Sequence, residues 1–338
     1  MLKRVALFLL KAGFAAGILT WLIMRNGVTI LDITAVPLIY PVMAGVCMLC
    51  QILLTGIRWW SLLRYAGLKV PFAEAISLCM QGVFYTLFIP GGSVGGDLIK
   101  AGILAKRAPA GQKFIGVFTI LMDRLCGLTA LVIATLFSCV WCLPAFHEFS
   151  RQQQYFLYTI AAVCAGVLLA CIMIFFHDYF YRFGWIKRCL ELLDKFSKGS
   201  FTKAAEATAM YRVYWKQLCG WIFATVLIFF PFLAQSLWFL VRGTTETVPD
   251  WSRIFLTSNI SNTIAAIPLT NGGIGTRDVV TKMLLQGSGL PETEAAAIPL
   301  LYTGVFLLVS FLGAFFVVFD SFFRNKICNP QDVEYNKE

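Results

Sequence analysis

The sequence is poor in histidine and in charged residues. It has 338 residues but only two histidines, His147 and His177, and only 14% of its residues are charged. Histidine is the commonest general base near neutral pH and a frequent zinc ligand, so its scarcity argues against histidine-based catalysis and against a zinc site. A soluble domain carries about 25% charged residues, so the low charge argues against a soluble fold.

The eleven cysteines show no ligand pattern. They are scattered, mostly within apolar runs, and no pair has metal-ligand spacing with a histidine nearby. Cysteines in such a setting act as small apolar packing residues. We therefore expect no metal and no cofactor.

Long apolar runs make up most of the chain. The sequence is 59% hydrophobic with a mean hydropathy of +0.75, and runs of about 20 apolar residues are long enough to cross a bilayer. This predicts an all-α polytopic membrane protein whose residues 1–338 form one membrane domain. Six full transmembrane helices are expected at about residues 5–24, 36–57, 114–141, 156–176, 217–241 and 294–319.

Two further apolar segments are interrupted by glycine and proline. The first break reads Ile89-Pro90-Gly91-Gly92-Ser93-Val94-Gly95-Gly96-Asp97, and the second reads Ile267-Pro268-Leu269-Thr270-Asn271-Gly272-Gly273-Ile274-Gly275. Glycine costs a helix about 1 kcal/mol and proline about 3 relative to alanine, and free backbone at membrane depth requires protein or water partners. We therefore predict two re-entrant hairpins, at about residues 72–104 and 254–287.

The two breaks share one pattern. Each has Ile-Pro, then a Gly-Gly pair, then four residues, and then an aspartate, which is Asp97 in the first and Asp278 in the second. This predicts an inverted repeat, with residues 1–142 as the first repeat and 155–320 as the second. In transporters, broken segments at corresponding positions of two halves mark the binding site.

The basic residues predict the orientation. If both hairpins are re-entrant, 20 lysines and arginines lie on the side of the two termini and six on the other side, which favours cytoplasmic N- and C-termini. In this count Arg58 follows the second span as an interfacial anchor. Residues 178–215 are basic and amphipathic, and form either a membrane-surface segment or a plain cytoplasmic connector.

The breaks carry the chemistry of an anion site. Glycine-run amides and helix N-termini bind anions, phosphate among them. Asp97 and Asp278 fall near the first turn of the helices that follow, where they either cap the helix or handle protons or cations. The candidate substrate-binding residues are Gly91, Gly92, Gly95, Gly96, Asp97, Lys100, Asp123, Arg124, Asn259, Asn262, Thr270, Asn271, Gly272, Gly273, Gly275, Arg277 and Asp278.

Asp123 and Arg124 stand well inside the third predicted span. Ionisable groups there cost at least about 2.5–3.5 kcal/mol each and usually face a cavity or a partner. Adjacent helical residues point about 100° apart, so we expect the two to have different partners. Arg124 is expected to meet a phosphate or a carboxylate such as Asp97 or Asp278, with a structural ion pair as the alternative. Arg277, beside Asp278, is the basic residue of the second hairpin that corresponds to Arg124.

Asn259 and Asn262 place two amides on one face of the helix that enters the second hairpin. They either contribute to the site or form hydrogen bonds between helices.

These motifs resemble a known family. The run Ile89–Asp97, the pair Asp123-Arg124 with Gly127, and the second break through Arg277-Asp278 are similar to the membrane domain of lysylphosphatidylglycerol synthases, over about residues 5–320. The resemblance implies a flippase-like protein that moves lipid between leaflets. The sequence ends at Glu338 without a soluble aminoacyl-transfer domain, so we expect a free-standing member without aminoacyl-transfer activity.

The resulting hypothesis is a translocase for an anionic or phosphate-bearing lipid, either a phospholipid or a polyprenyl-phosphate type. Its location is expected to be a bacterial-type inner membrane. Two alternatives stay open: a membrane-embedded enzyme on a lipid or glycan carrier, and a non-catalytic partner of a lipid-synthesis enzyme. No nucleic-acid partner is expected, and the sequence leaves oligomerisation undecided.

Overall fold

The computed structural model describes residues 36–87, 89, 93–107, 113–175, 212–267 and 273–319. This part of the chain contains ten α-helices: α1 Ile39–Tyr65, α2 Phe72–Thr86, α3 Ser93–Arg107, α4 Lys113–Trp141, α5 Arg151–Phe175, α6 Trp215–Ala224, α7 Phe230–Thr244, α8 Trp251–Ala266, α9 Thr276–Gly287 and α10 Glu292–Val318. Short 3₁₀ turns, Leu143–Glu148 and Arg212–Tyr214, precede α5 and α6, and a π-helical turn, Thr225–Phe229, joins α6 to α7.

Five helical stretches are long and apolar enough to cross a membrane. They are Ile39–Tyr65, Lys113–Trp141, Arg151–Met173, Trp215–Thr244 and Glu292–Val318. They match five of the six predicted spans, and the all-α polytopic membrane fold is confirmed. The first predicted span, at residues 5–24, lies outside the described residues, as does most of the basic segment 178–215.

The second span is longer than predicted. Helix α1 continues to Tyr65 instead of ending at residue 57, and Arg58 lies inside it with 4% of its surface exposed. The prediction that Arg58 is an interfacial anchor was therefore wrong. Asp123 pairs with the Arg58 guanidinium inside the protein, so Arg58 does not need to reach water at the membrane surface, and the helix can continue past it.

Two pairs of short helices occupy the positions of the predicted hairpins. Helices α2 and α3 pack on each other, and so do α8 and α9. They have 15, 15, 16 and 12 residues, fewer than the roughly 20 that a transmembrane helix needs. That the pairs are re-entrant stays a prediction.

Glycine allows the two pairs to close. A Cβ on Gly96 of α3 would overlap the carbonyl oxygen of Gly82 in α2. Gly273, just before α9, has a φ of 75°, and a Cβ there would overlap Ala265 of α8. The first glycine is required by close backbone approach, and the second by close approach and a left-handed conformation.

The helix contacts of the two halves correspond. Helix α2 packs on α3, α1 and α10, and helix α8 packs on α9, α7 and α4. Helix α3 packs on α4, and α9 packs on α10. The largest apolar cluster, which includes Met48, Leu240 and Val305, lies where α1, α7 and α10 meet. Each short pair is thereby held between a long helix of its own half and one of the other half.

Candidate functional site

A polar cavity of about 510 Å³ lies among α1, α2, α3, α4 and the π-helical turn. Its walls are mostly apolar, but five charged side chains line it: Arg58, Asp97, Lys100, Asp123 and Arg124. Ala266, the last residue of α8, also lines it, so the tips of both short helix pairs reach this cavity.

Arg58 and Asp123 form a buried ion pair in the cavity wall. The Arg58 Nε donates to Asp123 Oδ1 at 2.8 Å, and the two side chains are 5% and 9% exposed. Arg58 Nη1 also donates to Thr225 Oγ1 at 3.0 Å, at the start of the π-helical turn. The guanidinium lies 5.6 Å from the centroid of the Phe229 ring. With these partners from α4 and the π-helical turn, Arg58 is a fixed element of the site.

Arg124 pairs with Asp97, one of the two carboxylates that the sequence suggested for it. The prediction that Asp123 and Arg124 have different partners is confirmed. The Arg124 side chain is 48% exposed and that of Asp97 is 19% exposed, so this pair lies at the edge of the cavity. Helix α3 begins at Ser93 and has no acidic residue in its first turn, so the capping interpretation is wrong for Asp97.

Lys100 is buried in the cavity with 5% of its surface exposed. Its Nζ lies 3.6 Å from the centroid of the Trp59 ring, a cation–π contact. The indole is itself held in place because Trp59 Nε1 donates to Thr119 Oγ1 at 3.1 Å. Counted over the described residues that line it, the cavity presents three cations and two carboxylates, a formal excess of one positive charge.

Arg277 and Asp278 lie in a separate buried cluster between α9 and α10. Arg277 Nη2 donates to Thr303 Oγ1 at 2.8 Å, and that hydroxyl donates to Asp278 Oδ1 at 2.8 Å. The Arg277 guanidinium also stacks 4.5 Å from the Tyr302 ring centroid. Asp278 Oδ2 accepts from the Gly275 N–H at 2.9 Å, so the capping interpretation is confirmed for Asp278.

The remaining predicted residues are dispersed. Gly95 and Gly96 are buried within α3, and Gly273 and Gly275 precede α9. The Asn259 amide is 3.5 Å from the Ala134 carbonyl of α4, and the Asn262 amide donates to the Ser258 carbonyl at 2.8 Å within its own helix. Residues outside the described ranges are Gly91, Gly92, Thr270, Asn271 and Gly272.

The structure therefore brings Asp97, Lys100, Asp123 and Arg124 together, and it places Arg277 and Asp278 elsewhere. The sequence did not predict Arg58 as a site residue, although it lines the cavity. The apolar pattern that continues past it in Trp59, Leu62 and Leu63, all fully buried, was the signal that the helix does not end there. Among the residues that the structure describes, no group of three or more His, Cys, Asp or Glu could hold a metal ion.

A smaller polar pocket of about 430 Å³ lies at the far ends of the second pair, near the start of α8 and the end of α9. Glu148 and Arg253 form an ion pair there. The hydrogen bond from Arg253 lowers the pKa of Glu148. This pair lies outside the membrane-spanning helices and links the turn after α4 to α8.

Comparison with known proteins gives two matches. A family model described as the lysylphosphatidylglycerol synthase TM region matches residues 8–313. The UPF0104 membrane protein PH1989 of Pyrococcus horikoshii is 26% identical over 104 residues, which are 30% of this chain. The matched stretch covers 31% of that relative.

Proposed function

The chain belongs to the family of the lysylphosphatidylglycerol synthase TM region, and from this premise we propose that it moves an anionic lipid between membrane leaflets. The headgroup occupies the polar cavity beside α3 and α4. The observation that carries the proposal is the excess positive charge of that cavity, which lies at the tip of a pair of short helices.

Lys100 and Arg124 are the groups that hold the headgroup phosphate. Arg58 is bound to Asp123 and Thr225 in the cavity wall and keeps those contacts. Lys100 has a cation–π contact and a hydrogen bond with Cys79. Among the described residues no carboxylate lies at ion-pair distance from it, so its charge is available to a phosphate oxygen. Arg124 supplies the planar donors that match a phosphate, once the phosphate replaces Asp97 as its partner.

The position of Arg124 provides the route into the cavity. Its half-exposed side chain lies on a face of α4 where Leu121 and Leu128 are also exposed. An arginine in such apolar surroundings is costly unless it serves a partner or a pathway. A headgroup arriving through the membrane therefore meets Arg124 first and Lys100 second.

The orientation and the repeat belong to the same proposal. The corresponding contacts of α2 and α8 support two related halves, entered by hairpins from opposite faces of a bacterial-type inner membrane. Arg58 and Lys100 are buried and no longer count as loop residues. The other basic residues still favour cytoplasmic termini.

The test is transport in reconstituted vesicles, with fluorescent phosphatidylglycerol and a membrane-impermeant quencher that reports the outer leaflet. Lys100→Met keeps most of the apolar stem and removes the charge, so the cavity becomes formally neutral. We expect a loss of about tenfold or more in the transport rate, since a charge-assisted hydrogen bond contributes about 1.5–3 kcal/mol.

The matched control is Lys106→Met, which removes an exposed charge from the same helix and is expected to leave transport unchanged. Equal rates for the Lys100→Met variant and the wild type, with both proteins folded, would contradict the headgroup assignment. Formation of a new lipid product in the same vesicles would favour the enzyme alternative. Wild-type protein that neither transports nor converts lipid would favour the partner alternative.

A further inference from the structure

A second cavity, of about 800 Å³, lies among α4, α5, α6, the π-helical turn, the start of α7 and α8. We call it the apolar groove. The described side chains that line it are apolar or cysteine apart from Thr129. Such a surface cannot hold a headgroup, because an unpaired polar group buried against it would cost several kcal/mol, on the order of 2–7.

The groove is about as long as the hydrocarbon core of a bilayer is thick. Its lining residues on α4 run from Met122 to Trp141, a rise of about 28 Å at 1.5 Å per residue, against a hydrocarbon core of about 30 Å. Trp215 lines it at one end, and Trp141 and Trp251 line it at the other, with their rings 6.1 Å apart. Tryptophan is enriched at both membrane–water interfaces, and this predicts that the groove runs along the membrane normal.

Leu125 connects the groove to the polar cavity. It lines both cavities. Successive residues of α4 are 100° apart around the helix axis. On one side of Leu125 lie the exposed side chains of Leu121 and Leu128. On its other side lie Met122 and Thr129, which line the groove. Arg124 is the next side chain beyond Leu128. A molecule with one end at Arg124 reaches the groove across Leu128 and Leu121, which line the polar cavity, and then across Leu125, which lines both cavities.

We propose that the apolar groove binds an acyl chain of the lipid whose headgroup occupies the polar cavity, with Leu125 under the region that joins head to chain. This inference rests on the proposed function and adds the position of the chain. The exposed leucines beside Arg124 offer the surface of one helix, whereas the groove offers walls from five helices and the π-helical turn. An apolar chain therefore buries more area in the groove than beside Arg124.

The experiment uses phosphatidylglycerol with a photoreactive diazirine in one acyl chain, in vesicles of phosphatidylcholine, with labelled residues identified by mass spectrometry. We expect labels at Ile133, Phe137 and Ile222, which line the groove. Lys100→Met should lower this labelling, because head and chain belong to one molecule. Leu125→Trp should lower it by about tenfold, as overpacking at a contact site would. Val117→Trp, at an exposed position of α4 that lines neither cavity, is the matched control and should leave it unchanged.

Three results would overturn the proposal. Labels confined to Val94, Leu121 and Leu128 would place the chain beside Arg124. Groove labels that Lys100→Met leaves unchanged would mean that the groove holds bulk lipid unrelated to the headgroup. A disulfide-linked dimer through Cys219, which lines the groove and is exposed, would make a second copy of the chain its occupant. The first two results leave the transport role of Lys100 intact, and an unchanged transport rate for Lys100→Met would refute the proposed function instead.

Discussion

The Arg58–Asp123 pair is expected to behave as one unit in a double-mutant cycle. Removing one partner leaves the other as an unpaired buried charge, which costs about 3–5 kcal/mol. Asp123→Leu or Arg58→Met alone should therefore lower the free energy of unfolding by that amount. The double variant buries no charge at these positions and should be less destabilised than either single variant, because a buried ion pair replaced by apolar residues of similar volume is often neutral.

The assay is SDS-induced unfolding in mixed micelles, followed by tryptophan fluorescence. Met122→Leu is the control, a buried and nearly volume-conserving change beside Asp123 that should cost less than about 1.5 kcal/mol. The cycle also separates stability from transport. The double variant keeps Lys100, Arg124 and Asp97, so the cavity retains its single excess positive charge and should still transport the anionic lipid.

Two results would contradict the energetic coupling of Arg58 and Asp123. If the double variant loses as much stability as the sum of the two single variants, the 2.8 Å contact does not carry the energetics of these residues. If the double variant is stable but cannot transport, Arg58 acts on the lipid directly and is not a fixed part of the wall.

Two further predictions concern packing and pH. Gly96→Val should destabilise the protein by about 1–3 kcal/mol or more, because the new side chain would overlap the Gly82 carbonyl of α2. The control is Gly102→Ala, on the same helix with open space around it, which should not destabilise the protein. Equal melting temperatures for the two variants would contradict the close approach of α2 and α3. The pKa of Glu148 is lowered by Arg253, so its contribution to stability is present above the unfolded pKa of about 4.3 and is lost as the pH falls through the folded pKa. The difference in melting temperature between the wild type and Glu148→Gln should therefore be constant near neutral pH, shrink as the pH falls past about 4.3 and vanish once the pH is below the folded pKa. A difference that persists at the lowest pH at which the protein stays folded would exclude the ion pair as its origin.

The sequence alone determined the class of the protein and the position of most helices. Spans such as Lys113–Trp141 and Glu292–Val318 begin and end within two residues of the predicted bounds. A run of about 20 apolar residues is long enough to cross the bilayer, and a helix satisfies all of its backbone hydrogen bonds there. The glycine breaks likewise placed both pairs of short helices, since glycine and proline disfavour a helix wherever they occur in the fold. The different partners of Asp123 and Arg124 followed from helix geometry.

Only the tertiary structure decided which charges meet. Asp97 and Asp278 occupy the same position of a shared motif, yet one pairs with Arg124 and the other caps α9 and bonds to Thr303. Their partners come from α4 and α10, and the local sequence does not encode which long helix lies against which short one. The same holds for Arg58, whose burial depends on a carboxylate 65 residues away. Local composition fixes what a segment can be, and long-range packing fixes which of its polar groups are left to bind a ligand.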